Sequence, residues 1–123
     1  MWDYVAKVKA KIAKAEWAIT DQEINIEYSE DTDLGVFEGR LSFIDGSVFD
    51  FVEFLSHTQI KYRFHLMDSN NNLTMRWDNA PHHKEVETFP YHKHTPNGVK
   101  KSERKTLLKG LDEVFALVAE NLV

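Results

Sequence analysis

The sequence predicts an α+β fold, in which an antiparallel five-stranded meander sheet carries an N-terminal and a C-terminal helix packed on one face. Apolar residues recur at helical spacing near both ends of the chain. Between these two stretches, five segments alternate apolar and polar residues with a period of two, and short turn sequences separate them. Because consecutive strands joined by short turns pair antiparallel, we expect a meander within one domain over residues 1–123.

The composition is that of a folded protein of ordinary size. The chain has 123 residues, of which 42% are hydrophobic and 28% are charged, and this balance disfavours intrinsic disorder. There is no cysteine, which excludes disulfide bonds and thiolate metal ligands. The N-terminal stretch lacks the apolar core of a secretion signal, and no apolar run approaches the roughly 20 residues of a membrane span. We therefore expect a cytoplasmic protein that does not associate with membranes.

The net charge of −5 is unevenly distributed along the chain. Residues 1–56 carry a net charge of −7, whereas residues 57–105 carry +4 before any histidine is protonated. A positive region in an acidic protein favours a local anion site, such as one for phosphate or RNA, over nucleic-acid binding across the whole surface. Chance clustering of the charges is the alternative.

Each element is predicted from its apolar spacing and its boundary residues. An apolar stripe predicts a first helix over residues 2–19, and a second stripe predicts a last helix over residues 102–122, with Ser102 as its N-cap. Alternation predicts the strands, which we place at about 22–28, 35–44, 47–55, 60–68 and 72–78.

The register of one hairpin can be chosen from its apolar residues. A three-residue loop at 44–46, with Gly46 in a left-handed conformation, sets Leu41 opposite Phe49 and gathers the phenylalanines on one face. The same register places Glu53 on that apolar face, where a lone carboxylate needs a partner or access to solvent. We interpret Glu53 as a candidate catalytic residue, and a buried partner of an arginine or histidine as the alternative.

Five of the six histidines lie between residues 60 and 94, and four of them lie in a loop predicted at 79–95. Pro81 and Pro90 set rigid bends in this loop, and we expect Phe89 to anchor it in the core. Long ordered loops are often functional, so this loop is the candidate site. The five histidines are His65, His82, His83, His92 and His94.

The strands at 60–68 and 72–78 each place polar residues on one face, and adjacent antiparallel strands can share that face. It would carry three cations and a histidine against one acid, which favours anion binding over an ordinary solvated face with cross-strand ion pairs. The residues of this face are Lys61, Arg63, His65, Arg76 and Asp78.

Two histidines can serve as acid and base in one cycle, and lysine and arginine can stabilise the charge that develops on a reacting phosphate. The residues therefore indicate a metal-independent ribonuclease, in which the 2′-hydroxyl of the RNA is the nucleophile. His82 or His83, paired with His92 or His94, would be acid and base, and Asp78 would orient a histidine. The predicted phosphate ligands are Lys61, Arg63, His65, Arg76 and Lys93.

A divalent metal such as zinc is the rival chemistry, although we expect no cofactor. Its ligands would be His82, His92 and His94, completed by His83 or by a carboxylate of Asp78 or Glu53. The spacing matches no established metal motif, and the surrounding lysines and arginines disfavour a bound cation.

Four runs, over roughly residues 35–95, resemble the TumE family, whose members are toxin components of toxin–antitoxin pairs. The runs are FIDGSVFDFVEF, KYRFHLMD, RWDNAPHH and FPYHKH, and the joint presence of the last two is the most specific part of the resemblance. The resemblance implies a small cytoplasmic growth-inhibiting toxin with a separately encoded antitoxin as its partner, and it leaves the oligomeric state open. The alternative function is a non-catalytic module that binds nucleic acid or metal and acts through a partner protein.

Overall fold

A computed structural model describes residues 1–122. Seven strands form one antiparallel sheet in which the spatial order follows the chain order, so the sheet is a meander. Among the described residues, no helix is long and apolar enough to cross a membrane. The elements are α1 (Trp2–Lys14), β1 (Ile19–Ser29), β2 (Leu34–Phe43), β3 (Val48–Leu55), β4 (Ile60–Met67), β5 (Leu73–Asp78), β6 (His92–Thr95), β7 (Gly98–Lys101) and α2 (Leu107–Asn121).

The sheet has seven strands, so the predicted number of five is wrong. The two additional strands are β6 and β7, each four residues long, which form a hairpin at the end of the histidine-rich segment. The predicted loop at 79–95 therefore ends at Tyr91. A four-residue strand composed of His-Lys-His-Thr has no apolar alternation to reveal it, and its pairing with β5 is a long-range interaction.

Both helices are shorter than predicted. The first helix ends at Lys14 because residues 16–18 form a short 3₁₀ turn, and β1 begins directly after it at Ile19. The last helix begins at Leu107, and Thr106 is its N-cap, because the Thr106 side chain accepts a hydrogen bond from the Lys109 N–H.

The predicted hairpin register between β2 and β3 is confirmed. Leu41 pairs with Phe49 across the two strands, and Gly46 adopts a φ of 85° in the loop between them. One face of the sheet thus becomes continuously apolar, and both helices pack against it to form the core. The buried core residues of the sheet include Phe37, Leu41, Phe49, Phe51, Phe64, Leu66 and Trp77.

Glu53 lies on this helix-facing side of the sheet, where it is 1% exposed. Its carboxylate accepts hydrogen bonds from the Tyr4 hydroxyl (2.6 Å) and from the Leu107 N–H at the start of α2 (3.0 Å). Burial raises the pKa of Glu53, and these two hydrogen bonds oppose the rise. Glu53 therefore joins α1 and α2 to the sheet, and the interpretation of it as a residue of the histidine site is wrong.

We expect Glu53→Leu to lower the free energy of unfolding by about 1–3 kcal/mol, because it leaves the Tyr4 hydroxyl without its acceptor and the Leu107 N–H with only the Tyr4 oxygen as a partner. Urea denaturation followed by circular dichroism measures the change. The matched control is Glu38→Leu on the exposed side of β2, where we expect a change within about 0.5 kcal/mol. Equal losses in the two variants would contradict the structural role of Glu53.

Candidate functional site

The face of the sheet that points away from the helices carries the candidate site. Residues directly opposite each other in paired strands share a face. One cross-strand row runs from Arg63 on β4 through Asp78 on β5 to His92 on β6. The adjacent row runs from His65 through Arg76 to His94. His92 and His94 were predicted to lie in a loop. The short strand β6 instead brings them beside the predicted anion-binding face.

Asp78 is the centre of this arrangement and is 5% exposed. Its Oδ1 atom lies 2.9 Å from His92 Nε2 and accepts a hydrogen bond from the Ala80 N–H. Its Oδ2 atom lies 3.3 Å from both Arg76 Nε and His94 Nε2. A buried carboxylate is tolerated only with such partners, so Asp78 and its neighbours hold one another in place.

His92 is 1% exposed, and both of its ring nitrogens face oxygen acceptors. Its Nδ1 atom lies 2.9 Å from the Pro90 carbonyl, and its Nε2 atom lies 2.9 Å from the Asp78 carboxylate. These two contacts fix the orientation of the ring. Because His92 is buried against Asp78 and His94, we interpret it as a residue that positions these two side chains.

His94 lies next to His92 and is partly open to the cavity. Its Nε2 atom is 3.1 Å from Arg76 Nη2 and 3.1 Å from His92 Nε2. Arg76 can only donate, so Nε2 of His94 is the acceptor in that contact. Burial, followed by the positive charge of Arg76, lowers the pKa of His94 below its ordinary value. The neutral, proton-accepting form of His94 is therefore favoured.

His83 is the loop histidine that joins this pair. Its ring centroid lies 4.9 Å from that of His92 and 5.3 Å from that of His94. Its Nδ1 atom lies 3.0 Å from the Glu85 carboxylate, which orients the ring. His82 is exposed on the same loop. The sequence left open which of the two adjacent histidines would contribute, and the structure places His83 in the cluster.

The side chain of Asn79 positions the beginning of the loop. Asn79 accepts a hydrogen bond from the Tyr62 N–H (3.0 Å) and donates one to the Ile60 carbonyl (2.7 Å), so it continues the pairing of β4 beyond the end of β5. Phe89 is 40% exposed, so the expectation that it anchors the loop in the core is wrong. Tyr91 packs against the core instead, where its ring stacks on that of Tyr62 at 6.4 Å.

A cavity of about 1090 Å³ lies between this loop and the open face of the sheet. Four histidines line it: the three clustered rings of His83, His92 and His94, and the exposed His82 outside that cluster. The cavity thus combines titratable rings with positive charge. The cationic residues in its lining are Lys61, Arg63 and Arg76.

Two of the predicted phosphate ligands lie outside this cavity lining. Lys93 pairs with the buried Trp77 across β5 and β6, so it lies on the opposite face of the sheet from His92 and His94. His65 lies on the correct face, opposite Arg76, but beyond the lining residues. Burial, followed by the charges of Arg76 and Arg63, lowers the pKa of His65.

Three histidines also form a candidate metal centre. His83, His92 and His94 each offer a ring nitrogen, and these atoms lie within 4.8 Å of one another. The hydrogen bond from His92 Nδ1 to a backbone carbonyl is typical of zinc-binding histidines. The predicted ligand set named His82, and the structure groups His83 in its place. The guanidinium of Arg76 beside His94 opposes a bound cation.

Sequence reasoning missed Glu85 and the Pro90 carbonyl, which orient His83 and His92. Glu85 follows His83 by two residues, and this spacing was the available signal. No sequence signal marks a backbone carbonyl as a histidine partner.

The sequence model of a protein family described as Toxin TumE matches residues 9–122. The chain belongs to the TumE toxin family. Members of TumE are toxin components of toxin–antitoxin systems, so membership implies a cognate antitoxin as partner. The comparison with curated proteins gives no match, and neither does the comparison with solved structures.

The lowered pKa of His65 predicts that this residue makes the stability of the fold depend on pH. Below the ordinary histidine pKa of about 6.5, the unfolded chain binds a proton at His65 more readily than the folded protein does. The free energy of unfolding therefore decreases as the pH is lowered. We expect the loss of stability between pH 7.5 and 5.5 to be smaller in His65→Gln than in the wild type. Urea denaturation at the two pH values measures it, and an unchanged loss would contradict the prediction.

Proposed function

We propose that this TumE toxin targets RNA and cleaves it without a metal ion, with His94 as general base and His83 as general acid. The observation that carries the proposal is the convergence of the histidine rings beside Arg76 in one cavity. Acid and base groups next to a fixed cation are the parts that phosphoryl transfer to an internal hydroxyl requires.

His94 suits the role of base because its lowered pKa keeps the ring neutral, and its Nε2 atom becomes free to accept a proton when Arg76 turns to the phosphate. His83 suits the role of acid because the Glu85 carboxylate, 3.0 Å from its Nδ1 atom, orients the ring beside His94. That contact leaves Nε2 as the ring atom available to substrate.

The proposed reaction uses the 2′-hydroxyl of the RNA itself as the nucleophile. His94 removes the proton of a 2′-hydroxyl, and the resulting oxygen attacks the adjacent phosphorus. The bond from phosphorus to the 5′-oxygen breaks, and His83 supplies the proton that this oxygen takes. The products are a 2′,3′-cyclic phosphate and a 5′-hydroxyl end.

Three cations of the cavity would bind the phosphate during this step. Arg76 stands beside His94, at 3.1 Å from its Nε2 atom, where charge develops on the attacked phosphate. Arg63 and Lys61 extend the positive surface along β4. Asp78 and His92 are 5% and 1% exposed and contact Arg76 and His94, and we assign them to positioning these two residues.

We expect the purified protein to cleave RNA in the presence of excess chelator. His94→Ala and His83→Ala should each lower the cleavage rate by about 10²- to 10⁴-fold, because each removes one proton-transfer group. Gel electrophoresis of end-labelled RNA measures the rate. The matched control is His82→Ala, which changes the exposed neighbour of His83 and should retain the rate.

RNA that stays intact across structured and unstructured substrates would contradict the ribonuclease proposal. Tight RNA binding without cleavage would instead favour a non-catalytic module that acts through a partner protein. Equal losses in the His82 and His83 variants would contradict the assignment of the acid.

A metal centre is the second candidate, and the three ring nitrogens within 4.8 Å favour it. In that case zinc or another divalent ion would be held by His83, His92 and His94. We then expect one metal ion per chain by mass spectrometry of the native protein, lost in His94→Ala and retained in His82→Ala. Native protein without metal after incubation with zinc would rule this candidate out.

A further inference from the structure

Two apolar side chains interrupt the polar face of the sheet close to the histidine cluster. Val52 and Phe54 lie on β3, and both line the cavity. Val52 is 37% exposed, and Phe54 is partly exposed. The core-forming residues of this strand, such as Phe51, are on its other face. The exposed apolar surface is therefore not explained by the folding of the core.

Each of these apolar residues is paired with a cation. Val52 lies directly opposite Arg63, and Phe54 lies directly opposite Lys61, across β3 and β4. Side chains in such pairs have Cβ atoms about 4.5–5.5 Å apart. A ligand that contacts the apolar pair thus also meets two positive charges. This combination fits a flat apolar ring joined to an anionic group.

The apolar pair lies at a defined distance from the proposed reaction centre. Arg63 is opposite Asp78 on β5, so β3 is two strands from Asp78. Neighbouring strands are about 4.8 Å apart, which places Val52 about 10 Å from Asp78 in the same cross-strand row. Arg76 lies in the row of Asp50, which is four residues from Phe54 along β3, so Phe54 is roughly 17 Å from Arg76. A base bound at Phe54 and a phosphate bound at His94 and Arg76 therefore fit one strand when they are a few nucleotides apart.

We propose that Val52 and Phe54 form a base-binding subsite for an unpaired nucleotide, with Arg63 and Lys61 contacting its phosphates, and that the substrate class is single-stranded RNA. This inference rests on the proposed function. Aromatic side chains on an open sheet face bind splayed bases by stacking, and any base can stack. A base inside a duplex already stacks on both sides, so it cannot offer a face to Phe54.

Binding is tested in the full chain carrying His94→Ala, so that cleavage does not interfere. Fluorescence anisotropy compares a labelled 12-nucleotide single-stranded RNA with the same strand in a duplex. We expect the single strand to bind about 10-fold or more tightly than the duplex. Phe54→Ala should weaken single-strand binding by about 10-fold or more, and Phe54→Tyr should restore it, because only the latter keeps a ring for stacking.

The control is Ile24→Ala, which removes an exposed apolar side chain on β1, and it should leave binding unchanged. Thermal melting confirms that each variant folds. If Phe54→Ala unfolds, then Val52→Ala replaces it, and a several-fold loss is expected. Equal affinity for single strand and duplex, or full affinity in the alanine variants, would overturn the subsite.

These outcomes are separable from those of the ribonuclease proposal. Selective single-strand binding that depends on Phe54, in a wild-type protein that leaves RNA intact, would support the subsite and overturn the catalysis. Cleavage by the wild type with no effect of Phe54→Ala on affinity or rate would support the catalysis and overturn the subsite.

Discussion

The contact between the Asp78 carboxylate and the two histidines of β6 is the interaction on which the candidate site depends. Asp78 is buried, so its charge must be balanced by its neighbours. Arg76 supplies a positive charge beside one carboxylate oxygen, His92 contacts the other oxygen, and His94 lies beside both residues. The carboxylate thus holds together three side chains that would otherwise be solvated separately.

The same constraint explains why the short strand β6 matters. A strand of four residues contributes little apolar burial, but its pairing with β5 aligns His92 with Asp78 and His94 with Arg76. The loop that precedes β6 then returns His83 to the same place. The cavity is a consequence of this return, because the loop forms the wall that faces the open side of the sheet.

Among the described residues, two carboxylates are buried, Glu53 on β3 and Asp78 on β5. Their roles differ because their side chains point to opposite faces of the sheet. Glu53 lies on the helix-facing side and binds the start of α2 and Tyr4, which secures the helices to the sheet. Asp78 lies on the open side and organises histidines and an arginine. A shift of one residue in the register of either strand would move its carboxylate to the other face of the sheet.

The sequence by itself determined the α+β class, the β2–β3 register and the cationic face of β4 and β5, because these depend on apolar periodicity and turn residues within one local segment. Only the tertiary structure decided that β6 and β7 exist, that Lys93 and Glu53 lie on the helix-facing side, and that His83 is the loop histidine in the cluster. These features depend on pairing between distant segments. Neighbouring residues such as His82 and His83 have the same local chemistry, and the path of the loop alone distinguishes them.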